Sequence, residues 1–305
     1  MVHIPPFLKA GDAIGLVCPA GYMSDANIVQ CKASLERWGF IVKTGKTIGG
    51  RSGNYFSGTD EERLADLQTM LDDEAVKAIL FGRGGYGVSR IIEQISFRRF
   101  RKSPKWIIGY SDITLLHTHI YANFDIATAH GPMAGAFNSQ LLPNPYTWSI
   151  HELITGKKTA YTCGAHEFNR KGEATGILIG GNLTLMAHAV GTSSDFKTRG
   201  CILFIEDIGE YLYNIDRMLY QLKRSGKLHK PEAIIVGSFS DCKDTERPFG
   251  KNAYEIIRDI LIEYDFPVCF GFPVGHETEN YALKCGVEYR LKVAGSKVSL
   301  MEVDG

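Results

Sequence analysis

One unit recurs through the first half of the sequence: a short apolar run, a turn, then apolar residues at helical spacing. The runs are 13–18, 40–42, 76–81, 106–108 and 126–130, with helices expected over 23–38, from Thr59 through Leu71, from about Val88 and from Ile113 to about Tyr121. Thr59 and Glu62 form a capping box at the start of the second of these helices. Strands alternating with helices predict an α/β fold, a doubly wound and mostly parallel sheet over residues 1–150. Ligand sites in such sheets lie at the carboxyl ends of the strands.

Two of those ends stand out. The run 76–81 passes directly into Gly82-Arg83-Gly84-Gly85-Tyr86-Gly87, where glycine lets the backbone turn sharply and approach a ligand closely. A tight turn and a phosphate cradle both fit, but the spacing matches neither the dinucleotide fingerprint nor a phosphate-binding loop, which needs a Lys-Ser/Thr pair. The run 106–108 leaves only Gly109, Tyr110, Ser111 and Asp112 before the next helix. A serine on so tight a turn projects its hydroxyl away from the sheet, beside the unpaired first amides of the helix. That geometry suits a nucleophile and half of an oxyanion hole; an ordinary N-cap, with Ser111 or Asp112 accepting from the first turn, is the alternative. Gly84-Gly85 and Ser111, both at strand ends, can face one crevice.

From Leu141 to about Gly172, Pro143, Pro145, Gly156 and Gly164 interrupt polar sequence, and residues 151–172 read as a linker. A smaller C-terminal α/β domain is expected over 173–305. Its strands are 177–179, 201–205, 233–236 and 268–270, its helices start near Leu183, Leu212 and Tyr254, and 289–293 with 297–303 form a closing hairpin.

Basic and acidic residues balance at 34 each, which gives no pull toward nucleic acid or an anionic membrane. No apolar run approaches the roughly 18 residues that cross a bilayer, and the N-terminus lacks the pattern of a secretory signal. Seven scattered cysteines without a Cys-x-x-Cys pair predict reduced thiols in a cytosolic protein, neither a disulfide framework nor a zinc site. His117 and His119, two residues apart on a helix, point to different sides and cannot easily share a metal ion.

In the second half Glu206 ends the run 202–205 and His276 follows Gly275 in a turn-rich loop. Singly they read as a solvated carboxylate and an exposed histidine; with a serine on an elbow they are the parts of a nucleophilic triad. Six motifs appear in order: Gly82 to Gly87, Gly109-Tyr110-Ser111-Asp112, His130-Gly131-Pro132-Met133, Gly180-Gly181-Asn182-Leu183, Phe204-Ile205-Glu206-Asp207 and Gly275-His276. In this the chain, from Asp12 to about Gly286, resembles the murein LD-carboxypeptidases, whose relatives include the microcin immunity peptidases.

The resemblance implies a cytoplasmic serine peptidase, usually dimeric, that removes the terminal D-alanine of murein tetrapeptides at an L-to-D bond during cell-wall recycling. Its partner is then a small peptide substrate, with no nucleic acid, membrane, metal or cofactor. Carried over by motif, Ser111 is the nucleophile, His276 the general base and Glu206 its orienting carboxylate, while the backbone amides of Gly85 and Asp112 form the oxyanion hole. The chain departs from the family where Glu277 replaces a glycine and Lys284-Cys285-Gly286 ends the segment, which bears on substrate fit. Arg83, beside the oxyanion loop, is the candidate to meet the substrate's terminal carboxylate, with a structural arginine the alternative, and Tyr86 is a further candidate contact. Two other functions remain: an immunity-type peptidase cleaving peptidyl-nucleotide or acyl-sulfamoyl adenylate, and a catalytically silent binding protein.

Overall fold

Two sheets organise the chain in a computed structural model that describes residues 2–50, 53–139 and 144–303. The first half runs β1 (Ala13–Val17), α1 (Val29–Arg37), β2 (Ile41–Thr44), α2 (Asp60–Asp72), β3 (Val76–Phe81), α3 (Val88–Ile91), α4 (Arg98–Lys102), β4 (Trp106–Gly109), α5 (Thr114–Phe124) and β5 (Thr128–His130). There follow α6 (Pro145–Ile154), β6 (Ala160–Gly164), β7 (Gly172–Asn182), α7 (Leu183–Ala189), β8 (Cys201–Ile208), α8 (Leu212–Arg224), β9 (Ala233–Ser240), α9 (Ala253–Leu261), β10 (Val268–Phe270), β11 (Leu283–Cys285), β12 (Val287–Val293) and β13 (Lys297–Glu302).

β3 and β4 are buried almost residue by residue, as strands covered by helices on both faces must be. Their sheet has the order β11-β5-β4-β3-β1-β2, with β1 to β5 parallel. The order reverses between β1 and β3, and the ligand crevice of an open sheet lies at the carboxyl ends beside such a reversal. There the segments after β1 and β3 meet, the Gly21 N–H donating to the Gly84 carbonyl at 3.1 Å. The second sheet, β10-β9-β8-β7-β12-β13-β6, is parallel from β10 to β7 and antiparallel beyond. β12 alternates buried and exposed residues, the pattern of a strand with one wet face.

Several segments differ from the sequence reading. Residues 151–172, expected as a linker, hold the end of α6 and all of β6. Pro145 lies in the first turn of α6, where a missing N–H costs nothing, and Asn144 caps the helix by accepting from the Tyr146 and Thr147 amides. The same residues look like a break when only the sequence is in view; Leu141 and Pro143 lie outside the described residues. β6 buries only Tyr161 fully, so no apolar run announces it. β11 leaves the C-terminal half and pairs antiparallel with β5 in the first sheet, Leu283 opposite His130. The helix expected from Val88 is one α turn, a 3-10 turn at Ile92–Gln94, and then α4.

Lys284, one of the departures from the family pattern, is 1% exposed. Its Nζ donates to both oxygens of Glu302, at 2.8 and 2.9 Å, and to the Lys157 carbonyl at 3.3 Å. It fastens β11 to β13 and is spent on the fold. Removing one partner of a buried pair strands the other charge, at a cost of about 3–5 kcal/mol. Chemical denaturation should therefore find Lys284→Ala less stable by about 3 kcal/mol, and Lys284→Met/Glu302→Gln, whose amide oxygen can still accept the Thr159 N–H, closer to the parent. Equal losses in both variants would contradict this role.

Candidate active site

β4 ends at Gly109, and the chain turns through Tyr110 into a 3-10 turn, Ser111–Ile113, that feeds α5. Ser111 has φ +63°, one of three non-glycine residues at positive φ among those described. An L-residue held there is strained by roughly 1–2 kcal/mol, the mark of a strand-to-helix elbow. The capping alternative does not fit. The Asp112 carboxylate accepts from the Val88 N–H at 2.8 Å, so it serves the start of α3 and not its own helix. Burial pushes its carboxyl up to about 6. The Gly109 carbonyl is held by the Gly131 N–H at 3.1 Å and by His117 Nε2 at 2.8 Å, which fixes the elbow from below. His119 instead meets Ser194 Oγ at 3.0 Å. Among the described residues no group of three or more His, Cys, Asp or Glu side chains is placed to hold a metal ion.

The loop after β3 comes against the elbow at Gly84. A Cβ on Gly84 would lie 2.8 Å from Ser111 Cβ, 2.9 Å from its Oγ and 3.4 Å from the Asp112 nitrogen. The space beside the hydroxyl and that amide therefore exists because residue 84 has no side chain. Gly85 has φ +106°, and a Cβ there would lie 2.7 Å from Tyr55 Oη. The sequence reading rests on Gly85; crowding of the hydroxyl is decided one residue earlier. Arg83 is exposed, donates to the Tyr22 carbonyl at 3.3 Å, and has no carboxylate partner among the described residues. Tyr86 packs against Phe56, ring centroids 6.0 Å apart.

The second sheet supplies the other half. Glu206, in β8, is fully buried, and its Oε2 lies 2.6 Å from Nδ1 of His276 in the loop after β10. Ser238 Oγ accepts the His276 N–H at 3.0 Å, and Asn280 Oδ1 accepts the Gly275 N–H at 3.2 Å, so backbone as well as ring is held. Burial disfavours the imidazolium, but the Glu206 bond and the charges of Glu206, Asp207 and Glu277 outweigh it, and the His276 pKa is raised above its ordinary 6.5. Nδ1–H donating to a carboxylate leaves the lone pair on Nε2. The ring packs edge-on against Tyr110, the residue before Ser111, at 4.8 Å. The imidazole–carboxylate pair thus lies against Tyr110, beside the serine elbow.

A seam between the sheets brings them there. The Asn182 N–H donates to Thr114 Oγ1 at 3.0 Å in the first turn of α5, and Asn182 Nδ2 donates to Asp207 Oδ1 at 2.8 Å. Asp207 Oδ2 accepts from the Thr184 N–H at 2.9 Å and its hydroxyl at 2.8 Å. Burial and the neighbouring Glu206 push the Asp207 carboxyl up to about 6. Asp207 and Asn182 lie inside motifs visible in the sequence, but nothing in their spacing shows that they join the two sheets.

Comparison with known proteins places this geometry. The LD-carboxypeptidase N-terminal domain family matches residues 14–131, and its C-terminal domain family matches residues 175–291. The chain is 38% identical to the probable murein peptide carboxypeptidase of Bacillus subtilis, over 98% of this chain and 94% of the relative. It is 26% identical to the microcin C7 self-immunity protein of Escherichia coli, over 99% and 98% of the two chains. The crystal structure of muramoyltetrapeptide carboxypeptidase from Oxalobacter formigenes superposes with a TM-score of 0.85 at 28% identity, covering 96% of this chain and 99% of the other.

Two outcomes follow from the geometry. If His276 serves as a base, it must be neutral to accept a proton, and the acid limb of kcat/KM should have its midpoint above 6.5 and move down in Glu206→Gln, which loses the charge that raises the His276 pKa. A midpoint that stays in place would separate Glu206 from the base. Gly84→Ala should lower kcat about 100-fold, because its methyl would lie 2.8 Å from Ser111 Cβ and 2.9 Å from its Oγ and must push the serine aside; unchanged turnover would place the reaction elsewhere.

Proposed function

Because the chain belongs to the LD-carboxypeptidase family and is by that membership a serine-type carboxypeptidase hydrolase, we propose that it releases the terminal D-alanine of murein tetrapeptides by cleaving an L-to-D peptide bond. The observation that carries the reading is the 2.6 Å pair of His276 and Glu206 packed through Tyr110 against the Ser111 elbow. Ser111 attacks the scissile carbonyl as His276 Nε2 takes its proton, and Glu206 stabilises the imidazolium that forms. The backbone amides of Gly85 and Asp112 receive the oxyanion, each worth about 3 kcal/mol in the transition state. The imidazolium then protonates the departing amine of D-alanine. Water, activated by the same ring, releases the acyl group from Ser111.

Arg83 takes the terminal carboxylate, being an exposed guanidinium without a carboxylate partner among the described residues, one position from Gly84. The enzyme works in the cytoplasm as a homodimer. No helix among the described residues is long and apolar enough to cross a membrane. Cleavage of an acyl-sulfamoyl adenylate is the second reading, supported by the likeness to the microcin C7 self-immunity protein; the higher identity to the murein peptide carboxypeptidase favours the first.

Purified protein given murein tetrapeptide should release free D-alanine and leave the tripeptide. Ser111→Ala should lower the rate 10³-fold or more without loss of fold. Release of a nucleoside product from an aminoacyl-sulfamoyl adenosine, with the tetrapeptide left intact, would select the second reading.

A further inference from the structure

Tyr55, in the loop before α2, has no part in the relay, and its side chain is 56% exposed. Its backbone is nevertheless fixed. The Tyr55 carbonyl accepts the Tyr22 N–H at 3.0 Å, Phe56 bridges Gly21, and the Ser57 N–H donates to the Ala20 carbonyl at 3.1 Å. Gly21 in turn donates to Gly84, so the Tyr55 loop, the loop after β1 and the loop after β3 are laced together at the crevice. Phe56 backs the Tyr55 ring edge-on at 5.3 Å. The hydroxyl makes no hydrogen bond with the described residues.

Two distances locate that hydroxyl. Ser111 Oγ borders the open side of Gly84, 2.9 Å from where a Cβ would sit, and Tyr55 Oη borders the open side of Gly85 at 2.7 Å. Consecutive Cα atoms are about 3.8 Å apart, so the hydroxyls flank neighbouring positions of one loop. A leaving residue that runs from Ser111 along this loop toward Gly85 comes to Tyr55. Arg83 borders the neighbouring Gly21, its Nε 3.2 Å from where a Cβ on Gly21 would sit, and Gly21 Cα is 3.7 Å from the corresponding point on Gly85.

We propose that Tyr55 is a specificity-determining residue: its phenol O–H, together with the Arg83 guanidinium, receives the terminal carboxylate of the substrate, and its ring closes the cleft after a single leaving residue. This rests on the carboxypeptidase reading above. A phenol adds one directed donor to the charge that arginine supplies, and the pair discriminates an acid from an amide better than either alone.

Binding to the Ser111→Ala protein, followed by calorimetry, separates this claim from turnover. The probes are the D-alanine-terminated tetrapeptide, its C-terminal amide, and the peptide extended by one further D-alanine. With Tyr55 present the acid should bind at least about 10-fold more tightly than the amide or the extended peptide. Adding Tyr55→Phe should cut the acid-to-amide ratio about fivefold or more while amide affinity stays constant, and adding Tyr55→Ala should also admit the extended peptide. A merely structural role would weaken all three peptides alike. Ratios that survive both substitutions, or a parent protein that does not discriminate acid from amide, overturn the proposal. If the ratio depends on Tyr55 but the protein with Ser111 intact cleaves no tetrapeptide, the hydrolytic reading fails and the carboxylate site stands.

Discussion

The hydrogen bond from the Asn182 amide to Thr114 Oγ1 is the contact on which the site depends, because it joins the end of β7 to the first turn of the helix that follows Ser111. It forms only because Gly181, at φ +142°, has no Cβ to strike the Thr114 side chain. Asn182 also holds Asp207, Asp207 is the neighbour of Glu206, and Glu206 holds His276. Ser111 and Glu206, far apart in sequence, each lie near the carboxyl end of a strand, β4 and β8, and His276 is tied to Glu206.

This arrangement bears a cost in stability. Glu206 and Asp207 are adjacent carboxylates, both buried, and Glu206 Oε1 has no hydrogen-bond partner among the described residues. An unsatisfied buried acceptor costs about 1–3 kcal/mol. The positive φ of Ser111 adds strain, and both ring nitrogens of His130 are buried without a partner among the described residues. Such violations gather where a reaction requires them. Here the negative charge behind His276 raises its basicity, and the strained turn presents the hydroxyl.

Much of this is legible in the amino-acid sequence. The doubly wound order of the first half follows from apolar runs and helical spacing, and the four-residue turn at Gly109 to Asp112 announces the elbow. What escapes has tertiary causes. The Asp112 side chain serves α3 because β3 and β4 are neighbours in the sheet, which no local pattern contains. β6 and β11 are short and take their pairing from distant strands, so neither carries an apolar run of its own. Gly84 and Gly85 are equivalent as letters; which one faces Ser111 depends on how the loop docks. Tyr55 looks like any exposed aromatic until its loop is seen laced, through Tyr22 and Gly21, to the loop after β3. The roles of Ser111, His276, Glu206, Gly85 and Asp112 come with the family resemblance and stand as proposals on that geometry.

The central claim is that Ser111 is a nucleophile activated by an imidazole delivered from the other sheet. Covalent labelling by a serine-directed phosphonate, mapped by peptide mass spectrometry across a pH series, tests it most directly. A single adduct on Ser111 should form, at a rate that rises with pH through a midpoint above 6.5 and collapses in His276→Ala. An adduct on another residue, or labelling of Ser111 at a rate indifferent to pH and to His276, would contradict the account.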